Sequence, residues 1–167
     1  LDPARLTLAD RWILSRLDAL TADVNRLFET YQFGEAGRQI RDFLWDEFAD
    51  WYVEMSKICL QGDDAAAKAT AQGVLVRALE QALRLLHPFA PFITETIWQR
   101  LPHQGDTIML APWPTAHGTR DTEAEAGMNL VRDLVRAIRN ARTEYNVEPG
   151  RRVAAIVLAQ RVPVVAD

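Results

Sequence analysis

The stretch "FLWDEFADWYVEMSK", residues 43–57, lies within the longest apolar pattern of the chain. At 3.6 residues per turn, the apolar side chains of this region fall within about 80° of one another on a helical wheel. They are Ile40, Leu44, Phe48, Trp51, Met55 and Ile58. The pattern predicts a helix over residues 35–61 that ends at Gly62. Val53 does not fit, because the wheel places it on the charged side.

The segments on either side of this stretch repeat the same apolar spacing and predict further helices. Thr7 precedes the first of them and Asp10 follows three residues later, as in a capping box. The other predicted helices cover residues 8–31, 65–87, 91–101 and 122–145. Because short connections join helices that each have one apolar face, the sequence predicts a mainly α, antiparallel helix bundle.

The C-terminal part of the chain has a different pattern. Residues 102–121 are rich in proline and glycine and are predicted to form a loop, with a strand or an extended lip at the apolar residues 108–110. The run "RRVAAIVLA", residues 151–159, is β-branched and predicts a buried strand. We therefore expect a helix bundle over residues 1–118 and the start of a small α/β appendage over residues 119–167.

The composition is that of a packed globular protein rather than a typical nucleic-acid-binding one. Hydrophobic residues make up 49% of the 167 residues and charged residues 25%, which are ordinary values. The net charge is −4, whereas phosphate-binding proteins are normally basic, so an RNA role must depend on local patches. The single cysteine excludes a disulfide within the chain, and the absence of long apolar runs predicts no membrane span.

The sequence predicts no catalytic residue and no metal site. It has no glycine-rich phosphate loop, no nucleophile motif and no paired cysteines, and its three histidines, His87, His103 and His117, are scattered. The N-terminus lacks both a starting methionine and the apolar core of a secretion signal. Together with a single predicted strand that has too few partners, this predicts a fragment of a longer protein.

The last predicted helix carries a row of arginines opposite its apolar side. Arg132, Arg136 and Arg139 recur at i, i+4 and i+7, with Arg142 close by. Such a row is typical of a track for phosphates. It is equally consistent with a solvated face that happens to use arginine, and the spacing alone leaves both interpretations open.

Val53, Glu54 and Lys57 place an apolar group, a hydrogen-bond acceptor and a cation within one helical turn. This set suits contact with a splayed-out nucleobase, although a lone surface valine commonly has no special role. Aromatic residues are also candidates for base stacking. Trp51 and Trp98 fall on apolar faces and are predicted to be core residues, whereas Trp45 lies at the edge of its stripe.

Four short motifs resemble, in order, the anticodon-binding domain of class I aminoacyl-tRNA synthetases. These are "ADRWILSRL" (9–17), "FLWDEFADWYVEMSK" (43–57), "LRLLHPFAPFITETIWQRL" (83–101) and the "APWP" turn (111–114). Together they cover nearly the whole chain. The segment "IRNARTEYNVEPGRRV" (138–153) is similar to the valine-specific branch of this family.

The resemblance implies a module that binds valine-accepting tRNA, with no DNA or membrane partner, in a cytoplasmic monomer. The longer protein would join valine to that tRNA using ATP and Mg²⁺ in a catalytic domain outside this chain, which itself would need no cofactor. In the family, the two residues after Asp-Trp-Tyr face the anticodon; here they are Val53 and Glu54, and Lys57 also matches.

The arginine row from Arg132 to Arg142 matches no base-reading position, so contact with the tRNA backbone remains a hypothesis for it. Two alternatives to the valine-specific module stay open. One is the same module from an isoleucine- or leucine-specific synthetase. The other is a helical protein-interaction bundle with no RNA role, which the acidic net charge of −4 favours.

Overall fold

The computed structural model describes residues 2–148, 150–154 and 156. Its helices are α1 (Leu8–Glu29), α2 (Phe33–Asp42), α3 (Glu54–Gln61), α4 (Ala65–Leu86), α5 (Pro91–Trp98) and α6 (Thr122–Glu144). A π-helical segment, Phe43–Val53, joins α2 to α3, and short 3₁₀ turns span Pro3–Arg5 and Ile108–Leu110. The described residues contain no β-strand, and the predicted mainly α fold is confirmed.

Residue contacts divide the chain into two compact units, one up to Leu130 and one from Val131. The first unit extends beyond residue 118, and backbone amides on both sides of this position bond to α1. The amides of His117 and Thr119 donate to the two carboxylate oxygens of Asp18 at 2.7 and 2.9 Å. The expected domain boundary at residue 118 stays a prediction.

Helix α1 begins as the sequence predicts. The amide of Asp10 donates to the Thr7 hydroxyl at 3.2 Å, and the Thr7 amide donates to the Asp10 carboxylate at 2.9 Å. This capping box satisfies two amides that have no partner within the helix. The predicted apolar face is buried from Ile13 to Leu27.

Tyr31 follows Leu27 by four residues, the spacing of the apolar face, but is 81% exposed. Its φ of 58° lies in the left-handed region, which commonly ends a helix. The following amide, of Gln32, donates back to the Leu27 carbonyl at 2.8 Å. The turn therefore carries Tyr31 off the face of α1 before α2 begins.

The predicted helix over residues 35–61 is confirmed as α2, the π segment and α3, but its buried face differs from the prediction. Trp51 and Met55, predicted in the core, are half-buried, and Ile58 is 78% exposed. The buried residues are Ala36, Ile40, Phe43, Phe48, Tyr52 and Ser56. Their interval widens to five residues inside the π segment, because a π-helix bonds i to i+5 and takes more residues per turn than an α-helix.

Helices α4 and α5 and the loop after them form a further part of the core. Asp64 caps α4 by accepting from the Ala66 amide at 2.8 Å. Trp98 is 1% exposed, as predicted, and packs with Leu83 and Ile108. Ile108 belongs to a 3₁₀ turn, so the predicted strand or extended lip at residues 108–110 was wrong.

The second unit contains the C-terminal part of α6 and the residues that follow it. Residues 151–154 and 156, which belong to the predicted strand, form neither helix nor strand. The rest of that strand lies outside the described residues, and the α/β appendage stays a prediction. Among the helices of the described residues, none is both long and apolar enough to cross a bilayer.

We expect Leu85→Ala to lower the free energy of unfolding by about 2–5 kcal/mol, because Leu85 is fully buried and truncation leaves a cavity. Leu110→Ala is the matched control, since Leu110 is 79% exposed; we expect a change within about 0.5 kcal/mol. Urea unfolding followed by circular dichroism measures both. Equal effects of the two substitutions would contradict the described core.

Candidate nucleic-acid interface

The π segment joins α2 and α3 without a break and determines which side chains face outward. Phe43, at its start, has φ and ψ of −60° and −50°, and Glu54, just after it, has −66° and −43°, both helical values. The helix is therefore continuous, and the change lies in its number of residues per turn. A period of 3.6 residues per turn predicts that Val53 is exposed. With the wider turns of the π segment, Val53 is half-buried in the structure.

A buried hydrogen bond holds the π segment against α1. The Tyr52 hydroxyl donates to Asp10 Oδ1 at 2.5 Å, and the Thr7 amide and hydroxyl donate to Asp10 Oδ2 at 2.9 and 2.8 Å. Burial, and then the bond to Asp10, raise the pKa of Tyr52 far above its usual range. Tyr52 thus stays a neutral donor, and the carboxylate that caps α1 also fixes the residue next to Val53.

An ion pair ties an earlier position of the π segment to the same helix. The Arg16 guanidinium bonds both carboxylate oxygens of Glu47, at 2.9 Å from Nε and 3.0 Å from Nη2. Hydrogen bonding to Glu47 raises the pKa of Arg16. Planar two-point pairs of this kind fix geometry as well as add stability. Two side-chain contacts, of different chemistry, therefore locate the π segment on α1.

The structure brings the three predicted anticodon-contacting residues together at the junction of the π segment and α3. The side chains of Glu54 and Lys57 are 60% and 48% exposed, and Lys57 Nζ donates to Glu54 Oε1 at 2.6 Å. Val53 lies beside them and is half-buried, and its carbonyl accepts from the buried Ser56 hydroxyl at 2.9 Å. The backbone beneath the exposed pair is thus firmly held.

The exposed pair is chemically suited to accept an RNA ligand. Solvent-exposed ion pairs contribute only about 0–1 kcal/mol, so separating Glu54 from Lys57 costs little. A glutamate oxygen accepts well from an exocyclic amine of a base, and a lysine ammonium binds phosphate. The half-buried Val53 adds an apolar edge beside them.

The predicted arginine row lies on the part of α6 that belongs to the second unit, and its members differ in environment. Arg136 and Arg139 are exposed, and Arg136 Nη1 pairs with Asp133 at 2.8 Å. Arg142 is half-buried and donates to the backbone carbonyls of Glu148 and Arg151 at 2.5 and 3.1 Å. Arg142 therefore closes the helix end, while Arg136 and Arg139 face solvent; Arg132 is half-buried.

A family profile described as the anticodon-binding domain of tRNA ligase matches residues 10–157. The chain belongs to this family. It is 47% identical over 162 residues to the valine–tRNA ligase of Bacillus cereus, covering 96% of the chain and 18% of that protein. It is 47% identical over 152 residues to the enzyme of Enterococcus faecalis and 48% identical over 148 residues to that of Bacillus subtilis. These alignments cover 90% and 88% of the chain, and 17% of each of those two proteins.

The resemblance to this domain, which the four sequence motifs predicted, is therefore confirmed. The chain spans less than a fifth of the length of the Bacillus cereus relative. It is similar to one part of a valine–tRNA ligase.

Sequence reasoning missed the residues that hold the interface in place. Neither the hydrogen bond between Tyr52 and Asp10 nor the contact between Arg16 and Glu47 was predicted. One signal was available for Tyr52: a buried tyrosine hydroxyl normally needs a hydrogen-bond partner. The capping role of Asp10 was recognised. A capping carboxylate has a second oxygen, however, and the sequence spacing does not indicate which residue donates to that oxygen.

We expect Tyr52→Phe to lower the free energy of unfolding by about 1–3 kcal/mol, because it leaves one oxygen of the buried Asp10 carboxylate without its donor. Urea unfolding measures the loss. The control is Tyr145→Phe, which removes a hydroxyl from a tyrosine that is 76% exposed. If both substitutions left stability unchanged, the Tyr52–Asp10 bond would not hold the π segment in place.

Proposed function

We propose that this domain is the anticodon-binding module of a valine–tRNA ligase. In this proposal Val53, Glu54 and Lys57 contact the anticodon of valine-accepting tRNA. The observation that carries it is the exposed Glu54–Lys57 pair, 2.6 Å apart, at the end of a segment anchored to α1. The similarity to the valine–tRNA ligases of Bacillus cereus and Bacillus subtilis supports the amino-acid specificity.

The chemistry of the anticodon supports the same assignment. Valine anticodons end in adenine and cytosine. Glu54 is able to accept a hydrogen bond from cytosine N4, and Val53 offers an apolar contact to a base. Lys57 is then free to move from Glu54 to a phosphate, since the exposed pair is weak.

The alternatives receive less support. The relatives named above are valine–tRNA ligases, which favours the valine-specific reading over an isoleucine- or leucine-specific one. The family match over residues 10–157 favours RNA binding over a protein-interaction bundle. We propose further that ATP and Mg²⁺ act in the catalytic part of a longer protein that works as a cytoplasmic monomer, and that this chain contributes tRNA recognition without catalysis.

We expect Glu54→Ala in the full-length protein to lower kcat/KM for valine tRNA by roughly 5- to 150-fold, the equivalent of losing one base-specific contact. Val53→Asp should also weaken charging, because it places a carboxylate against the base. Charging kinetics with a tRNA transcript measure both. Glu29→Ala, which removes an exposed glutamate at the end of α1, is the control.

A change in the tRNA sharpens this test. If Glu54 accepts from cytosine N4, replacing that cytosine by uracil should harm the unaltered protein far more than the Glu54→Ala variant. Unchanged kcat/KM in Glu54→Ala, or the same penalty for uracil in both proteins, would exclude the proposed contact.

We propose that the exposed arginines of α6 contact the tRNA backbone. Arg136→Glu should then weaken tRNA binding and reduce the slope of log K against log salt by roughly 0.7–0.9 for one lost phosphate contact. Filter binding between 50 and 200 mM salt measures the slope. Arg100→Glu makes the same charge change at an exposed arginine near the end of α5. Equal slopes for the two variants would contradict the proposed contact between α6 and the tRNA backbone.

A further inference from the structure

Trp45, in the first turn of the π segment, is exposed to an unusual degree. The residue is 70% exposed. Among the residues that the structure describes, no hydrogen bond or ring contact holds its indole. Tryptophan is highly buried on average, and tryptophan is enriched at binding interfaces.

The geometry of the π segment aligns Trp45 with the proposed anticodon-contacting residues. Buried positions recur every four or five residues from Phe43 to Ser56, so exposed positions recur at the same interval. They form one outward stripe, defined by Trp45, Ala49, Asp50, Glu54, Lys57 and Ile58, all of which are exposed. At 3.6 residues per turn Trp45 falls instead at the edge of the apolar face.

We propose that Trp45 is a stacking platform for an unpaired nucleobase of the tRNA anticodon loop, on the same stripe as Glu54 and Lys57. This rests on the proposed function, which supplies the RNA. Trp45 and Glu54 are nine residues apart, at most about 14 Å along a helix axis. Bases stack about 3.4 Å apart, so the two residues span about four stacked bases, a distance that one loop can follow.

The surroundings of Trp45 favour a base over a phosphate. Asp46, the next residue, and Asp50, about one turn further on, are exposed, and their carboxylates repel the RNA backbone. Ala49, one turn along the stripe, is too small to cover the indole. A neutral base face is the part of RNA that binds an aromatic ring without a compensating cation, and stacking of this kind tolerates any base.

The direct test is fluorescence of 2-aminopurine, placed at one anticodon-loop position at a time in a valine tRNA transcript and bound to the full-length protein. Stacking on an indole quenches this fluorophore. We expect quenching at one position at least, and loss of that quenching in Trp45→Ala. The same variant should raise Kd by roughly 5- to 150-fold, while Trp45→Phe should retain most of the affinity because it keeps an aromatic face.

Phe92→Ala is the matched control, because Phe92 is also an exposed aromatic, at 88%, but lies on α5 outside the stripe. We expect it to leave Kd and every fluorescence signal unchanged. If Trp45→Ala lowers the melting temperature but alters neither Kd nor quenching, Trp45 packs against another part of the longer protein and the proposal is overturned.

The Glu54→Ala variant separates this inference from the proposed function. If Glu54→Ala impairs recognition of the anticodon while Trp45→Ala behaves like Phe92→Ala, only the stacking platform is overturned. If neither variant affects tRNA binding, the anticodon-contacting role of the whole stripe is lost.

Discussion

The hydrogen bond from Tyr52 to Asp10 fixes the π segment on α1 directly beside Val53 and Glu54, and the candidate interface depends on it. Both partners are buried, at 0% and 3% exposure, and the bond is 2.5 Å long. Asp10 also caps α1 through Thr7. The same carboxylate therefore fixes both the start of α1 and the register of the π segment. Val53 and Glu54 follow Tyr52 directly, so their positions are set from inside the domain rather than by contacts on its surface.

Much of the fold could be predicted from sequence because its signals are local. Residues such as Thr7, Asp10 and Gly62 mark helix ends through their own chemistry, and the apolar spacing of α1 and α4 follows the ordinary helical period. The π segment could not be found in this way. Its apolar and aromatic residues are dense enough to fit a helical wheel of 3.6 residues per turn. That wheel wrongly placed three residues in the core: Trp51 and Met55 are half-buried in the structure, and Ile58 is exposed.

The candidate site, like the fold, could be predicted from the sequence only in part. Its residues, Val53, Glu54 and Lys57, came from a family resemblance and a spacing argument, and the structure places them together at one helix junction. The position of Val53 could be explained only by the wider turns of the π segment, because they move it from the charged side to a half-buried position. Which residues hold the junction depends on contacts between side chains 42 and 31 positions apart in the chain, Tyr52 with Asp10 and Arg16 with Glu47. No local pattern encodes such pairs.

A glutamate in an acidic domain is an unexpected residue for binding RNA, and in the proposed contact Glu54 would contribute discrimination between bases rather than affinity. A net charge of −4 gives little general attraction to phosphates, so tight binding must come from a few local contacts. In the proposed contact, cytosine would offer an amine to the Glu54 carboxylate, whereas uracil would present a carbonyl oxygen at the same place and repel it. Specificity is a difference between two affinities, and a repulsive contact with the wrong base enlarges that difference as effectively as a better contact with the right one. The ion pair with Lys57 compensates the Glu54 charge. In the proposed contact a base would replace the ammonium, and the cost of breaking an exposed pair is small enough for the correct base to overcome.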